Sequence, residues 1–475
     1  MTTDIKSIDT DALQHKIARK PSLVWDKIDP AERNDVFELA DSYKTFLDIS
    51  KTEREAVRHI RDAAVKHGFQ DVDAEGAGGK YYKIFRNKCI GMAVTGSTPL
   101  VQGSRLVAAH IDSPRLDLKQ NPLYQDLELA FFKTHYYGGI RKYQWLARPL
   151  ALHGTVITSE GKQLELTIGE SSDDPVFTIA DLLPHLSRRL QDGKKLSEAF
   201  EGEKLNLIIG SIPVGDPDLK ERVKLGILHY LNTRFGMVEE DFVSAEIEVV
   251  PADKARNVGF DESLIGAYGQ DDRICAFTAL QALTTTETPH FTAVALFFDK
   301  EEIGSDGSTG AKSRFMEDFF SDLLVKTGAN ADERSLRKCL MNSFALSADV
   351  NAAMDPDFQE VHEKRNAARL GHGICLTKYT GSGGKSGSSD ANAEYLGKIR
   401  RLFNEKKVAW QTGQLGKVDQ GGGGTIAKFL AAYGMEILDC GPAILSMHSP
   451  FEIAAKTDLY MTLKAYQAFY ASRMQ

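Results

Sequence analysis

Apolar residues between Asp35 and Lys66 recur at helical spacing: Val36, Leu39, Ala40, Tyr43, Phe46 and Leu47, then Ala56, Val57, Ile60, Ala63 and Ala64, on either side of Asp48-Ile49-Ser50. This predicts a helical opening. Short apolar runs follow, and four of them lead into an ionisable side chain. Arg105 to Ala109 runs into His110, and Phe291 to Phe298 into Asp299-Lys300-Glu301-Glu302. Ser343 to Ala348 runs into Asp349, and Met435 to Leu445 runs toward His448. Helical patterns lie between them, notably Asp272 to Leu283 and Phe451 to Met474. The expectation is an α/β fold whose sheet is covered on both faces. In open sheets of that class ligands bind outside the strand carboxyl ends, which is where these polar residues gather.

From about Leu116 to Val250 the pattern changes to alternation, as in Gln163-Leu-Glu-Leu-Thr-Ile168 and Ser244-Ala-Glu-Ile-Glu-Val-Val250, broken by loop-rich pieces. Alternation of period two predicts strands with one buried face. The division expected is therefore a discontinuous domain of residues 1–115 and 251–475, with a strand-rich domain of residues 116–250 inserted into it. The glycine-rich stretches Gly381 to Ser389 and Gly421 to Gly424 read as loops.

Composition narrows the function. Lys and Arg number 58 against 66 Asp and Glu, a net charge of -8, which argues against a dedicated nucleic-acid-binding protein. No segment reaches the roughly 20 apolar residues of a membrane span, and the amino terminus has no apolar run of signal-peptide length. The five cysteines, Cys89, Cys275, Cys339, Cys375 and Cys440, form no Cys-x-x-Cys pair. Reduced thiols in a cytoplasmic protein are expected.

Each polar strand end has a plain alternative. His110 with Asp112 two residues on fits a metal-ligating imidazole whose other ring nitrogen is held by a carboxylate, or only a polar strand end. Asp271 and Asp272 open a helix, where an acid serves as a cap, yet a carboxylate also has two oxygens and can bridge two cations. Glu301-Glu302 is either solvated surface or a pair in which one acid binds metal while the other faces the attacking water. Asp349 and His448 repeat the pattern. Two imidazoles and three carboxylates suit zinc, manganese or cobalt better than soft copper. Gln420 to Thr425 lacks the Gly-Lys-Ser/Thr ending of a phosphate loop, so close backbone approach to a substrate, or tight packing, is the reading.

Taken in order, six motifs resemble the aspartyl aminopeptidase and vacuolar aminopeptidase I family of dizinc metallopeptidases over nearly the whole chain. They are His-Ile-Asp-Ser-Pro at His110, Tyr-Gly-Gln-Asp-Asp-Arg at Tyr268, Phe-Asp-Lys-Glu-Glu-Ile-Gly-Ser at Phe298, Ser-Ala-Asp-Val at Ser347, Gly-Gly-Gly-Gly-Thr before Ile426, and Met-His-Ser-Pro at Met447. The resemblance implies a peptidase domain with a central mixed sheet flanked by helices, and an inserted dimerisation domain. It implies an aminopeptidase with two divalent ions, most simply Zn2+, with Co2+ or Mn2+ as alternatives. Asp271 would bridge them, His110 and Asp349 would complete one site, and Glu302 and His448 the other. Glu301 would be the general base and Asp112 would orient His110.

The same resemblance implies homo-oligomers, dimers assembled into a tetrahedral dodecamer, acting on peptides. His185, in Thr178-Ile-Ala-Asp-Leu-Leu-Pro-His185, would enter a neighbouring subunit's active site; the plain alternative is a histidine on an amphipathic helix. The loop from Lys378 to Lys385 is only similar to the region where acidic-specific members place a lysine for the substrate's carboxylate. Lys385, ahead of Lys378, is the candidate reader of an acidic first residue. Two rivals stay open: a dizinc carboxypeptidase or deacylase of the same fold, and a non-catalytic shell or cargo-binding assembly.

Overall fold

The computed structural model describes residues 9–19, 22–76 and 78–474. Its centre is a nine-stranded mixed sheet in the order Gln70–Asp71, Lys80–Phe85, Cys89–Val94, Thr292–Phe298, Ser104–His110, Phe344–Ser347, Glu436–Gly441, Ile374–Thr377, Trp410–Thr412. Thr292–Phe298, Ser104–His110, Phe344–Ser347 and Glu436–Gly441 are parallel neighbours, so their carboxyl ends share one edge. The strands form because alternate residues have an apolar layer on either side. Val107, Ala109, Ala293, Ala295 and Phe297 pack into one core, while Leu106, Ala108, Val294, Leu296 and Phe298 pack into another.

The first core is closed by the helices Arg33–Ile49, Glu53–Lys66, Gln270–Thr284 and Lys456–Tyr470, through residues such as Tyr43, Ile60, Phe277 and Tyr466. The helical opening is thus two helices, the second begun by Thr52 in a capping box with Glu55. The other core is closed by Phe315–Lys326, Glu333–Met341 and Ala427–Ala431. One expected helix is shorter at its start. The pattern from Phe451 opens with a strand, Glu452–Ala455, which pairs with Leu264–Ala267 and Ala443–Leu445 before the helix begins at Lys456. The two glycine-rich loops meet in a short antiparallel pairing, Gly381 with Gly423 and Ser382 with Gly422.

Between Arg115 and Pro251 the chain builds a second sheet of six strands, ordered Gln163–Ile168, Leu150–Ile157, Glu246–Pro251, Arg115–Asp126, Leu129–Tyr137, Leu207–Gly210. Every pairing in it is antiparallel. It has its own core, including Leu116, Phe132, Trp145, Leu152, Leu207, Phe242 and Val249. The helix Arg222–Phe235 contributes Leu231 to that core. No helix among the described residues is long and apolar enough to cross a membrane.

Candidate active site

At the shared strand edge, His110 ends its strand buried, and Asp271 meets it from the helix start at Gln270. Asp271 does not cap that helix: its side chain accepts no capping bond, and its backbone departs from helical angles, as does that of Asp272. Its carboxylate points two ways instead. Oδ1 lies 3.2 Å from His110 Nε2 and Oδ2 lies 3.2 Å from His448 Nε2. His448 Nε2 is also 3.4 Å from Glu302 Oε2, and His110 Nε2 is 3.9 Å from Asp349 Oδ1. The five residues therefore converge, two histidines facing opposite oxygens of one acid.

The other ring nitrogens are held as well. His110 Nδ1 is 3.1 Å from the carbonyl oxygen of Asp112 and 3.3 Å from its Oδ1, and His448 Nδ1 is 3.1 Å from the carbonyl oxygen of Gly139. With Nδ1 held by accepting oxygens, each Nε2 is the nitrogen left to bind a cation among the carboxylates once its own proton is lost. Asp112 is fully buried, and its carboxylate accepts the backbone N–H of Glu301 at 3.0 Å and of Glu302 at 3.1 Å. The turn Glu301–Ile303 thereby presents both glutamates to the cavity.

Burial dominates the electrostatics. Desolvation and neighbouring acids push Asp349 and Glu302 well above the ordinary carboxylate range, and burial lifts Glu301 to about 7. Burial favours neutral imidazoles, but hydrogen bonds with Asp112 and Asp271 outweigh it at His110, whose pKa rises well above normal. His448 likewise rises, to about 10, despite desolvation, through Asp271 and Glu302. Glu302 Oε1 is buried without a hydrogen-bond partner, and Asp271 Oδ1, equally buried, has only the His110 ring nitrogen at 3.2 Å. Orphaned buried oxygens are costly unless an ion or water meets them, and this donor set is the one that zinc takes. Ligand atoms of His110, Asp271 and Glu302 lie within 4.8 Å of one another, as do those of His110, Asp272 and Asp349. The residues fit a divalent metal centre.

A cavity of about 260 Å³ opens over this cluster. Asn351, Thr377, Tyr379 and Gln414 line it, together with the glycine run Gly421–Gly424. Asn351 Nδ2 donates to Thr377 Oγ1 at 2.7 Å, leaving its Oδ1 buried and unpartnered. Lys385 also lines the cavity, with its ammonium 4.0 Å from the Tyr379 ring centroid and 2.9 Å from Asp390 Oδ2. Lys378 does not line it and pairs with Asp390 Oδ1 at 2.9 Å. His185 is exposed on the single helical turn Pro184–Ser187, outside the cavity of its own chain.

The family model described as aminopeptidase I zinc metalloprotease (M18) matches residues 46–470. The chain belongs to the M18 family. It is 50% identical over 452 residues to "Probable M18 family aminopeptidase 1" of Clostridium acetobutylicum, covering 94% of this chain and 97% of that one. The crystal structure of an M18-family aminopeptidase from Thermotoga maritima superposes with a TM-score of 0.91 at 48% identity, over 95% of this chain and 99% of that one. A dodecamer structure of S. cerevisiae mApe1, at 22% identity, shares the fold with a TM-score of 0.74, over 92% of this chain and 97% of that one.

In this M18 protein two partners of the site, Glu452 and Tyr137, escape the sequence reading, and Asp272 reads there only as an acid at a helix start. Glu452 accepts the His448 backbone N–H at 2.7 Å on Oε1 and that of Asp271 at 3.1 Å on Oε2, tying two converging residues together. Its only sequence signal is an acid inside the apolar run Phe451 to Ala455. Asp272 accepts the His110 backbone N–H at 3.3 Å, and Tyr137 donates to Asp112 Oδ2 at 2.8 Å. Tyr137 gives no signal, since it lies in the other sheet.

Proposed function

We propose that this aminopeptidase removes the first residue of peptides at a site that takes two divalent ions, Asp271 bridging them. The observation that carries it is the Asp271 carboxylate, each oxygen facing a different histidine at 3.2 Å. His110 and Asp349 complete one position; Glu302 and His448 complete the other. Bound there, zinc supplies Lewis acidity, lowering the pKa of water and polarising the scissile carbonyl. Glu301 accepts the proton of the attacking water and returns it to the leaving amine, a role favoured by its burial beside the cluster. Asp112 holds His110 and, through two backbone N–H groups, fixes the Glu301–Glu302 turn. Asn351 and the glycine run offer hydrogen-bonding surface for a peptide backbone. Lys385 is the candidate contact to the first side chain, and its ion pair with Asp390 must loosen for it to meet an acidic one.

Residues 116–250 are the dimerisation domain in this reading, and the dimers build a tetrahedral dodecamer. Exposed large apolar residues support it: Leu186, Leu190, Ile212 and Leu219 are all more than half exposed within that segment. The buried, unpaired state of all five cysteines supports a cytoplasmic setting.

The deciding experiment measures metal content and hydrolysis together, on aminoacyl amides and on acylated amino acids. Chelated protein should be inert and regain activity on the amides with zinc, cobalt or manganese, and Asp271→Ala should lose more metal than any other single change. Preference for acylated amino acids would favour the deacylase reading. Full activity without metal would overturn the metal-centred reading.

A further inference from the structure

The strand Leu129–Tyr137 ends in a turn, Tyr137-Gly138-Gly139, that touches the groups around the site on both sides. Tyr137 donates its hydroxyl to Asp112 Oδ2 at 2.8 Å, and the Gly139 carbonyl oxygen lies 3.1 Å from His448 Nδ1. There is no slack between them. Gly138 has φ +72°, and a Cβ there would stand 3.3 Å from the Cβ atoms of Glu302 and Pro114; a Cβ on Gly139 would stand 3.3 Å from His448 Nδ1. The Tyr137 ring is itself clamped. The Arg115 guanidinium lies 4.0 Å from its centroid, on the paired position of the neighbouring strand. Arg115 in turn is anchored 3.2 Å from Glu248 Oε2 and 3.4 Å from Glu53 Oε2.

We propose that this turn makes the six-stranded sheet a working part of the metal centre, with Tyr137 and Gly139 as positioning residues for ligands on opposite sides of Asp271. The inference rests on the metal reading above. Asp112 Oδ2 has two donors, the Glu302 N–H and the Tyr137 hydroxyl. Without the hydroxyl one constraint on the carboxylate that orients His110 and the Glu301–Glu302 turn is gone. Groups that orient a metal-binding histidine typically influence metal affinity or activity by about 10–100-fold. The rigid clamp on the ring means that loss of the hydroxyl alone leaves the packing intact.

The test is Tyr137→Phe, which keeps the ring under Arg115, with Tyr136→Phe as the neighbouring control. Zinc affinity is measured by chelator competition and kinetics on an aminoacyl amide. The expected result is zinc bound about tenfold or more weaker and a lower kcat with KM changed less than twofold, at an unchanged Tm of the metal-free protein. Gly139→Ala, pressing on His448, should weaken zinc as well. Zinc affinity and kcat within twofold of the parent in both folded variants would overturn the proposal. Asp271→Ala in the same competition separates the two readings: if it too leaves zinc binding unchanged, the metal assignment has failed and not only the role of Tyr137.

Discussion

Glu301 and Glu302 are adjacent, yet their surroundings differ. Glu302 Oε2 stands beside His448 and its Oε1 is buried without a partner, whereas Glu301 lines the cavity with its pKa lifted to about 7 by burial. Glu301→Gln should therefore keep its metal and lose about 10²–10⁴-fold in kcat, since an amide takes no proton. Glu302→Gln should lose metal. Metal analysis beside kinetics distinguishes the two, and the reverse pattern would exchange their roles. A pH effect follows from the same residues. The pKa values of His110, His448, Glu302 and Asp349 are all raised, so each is more readily protonated than normal. Metal must displace those protons, so zinc affinity should fall as pH falls, and binding should release protons. Titration calorimetry in buffers of different ionisation enthalpy measures that release directly. Affinity that is flat with pH would contradict it.

At the scale of elements, the parallel strands do two things: they bring four polar ends to one edge, and they bury both faces under helices. Tight packing leaves Gly91 no room, because a Cβ would lie 2.7 Å from Phe319 Cδ1 and 3.1 Å from Leu296 Cδ2. Gly91→Ala should cost about 1–3 kcal/mol by overpacking, read as a lower denaturation midpoint with the same m-value. Those strands and helices were legible because an apolar run followed by an acid or histidine is a local pattern, and His110, Glu301, Glu302 and Asp349 could be named from it. Glu452 was hidden because its strand exists only through pairing with Leu264–Ala267 and Ala443–Leu445, segments remote in the chain or read as something else. Tyr137 was hidden for the same reason, being joined to Asp112 only when two sheets meet. The Asp271 cap reading was locally sound, but the side chain turns toward two histidines from elsewhere in the chain.

For the whole molecule, the prediction is that one subunit completes another. His185 is exposed and does not line the cavity of its own chain, which is what a contribution to a neighbour requires. His185→Ala and Glu301→Gln subunits should each be poor enzymes, and a verified mixed oligomer should regain part of the activity. No gain would return His185 to a surface histidine. The converging ligands also come from stretches as distant as His110 and His448, with the second sheet threaded between them. An unfolded chain has no such site, so zinc is in effect a thermodynamic clasp: it binds only where distant segments have already met. Mass action then adds about 2.7 kcal/mol of stability when free zinc is a hundredfold above its dissociation constant. Heating the protein at graded free-zinc levels should raise its midpoint progressively, and zinc scarcity would shorten the protein's life before it slowed any single turnover.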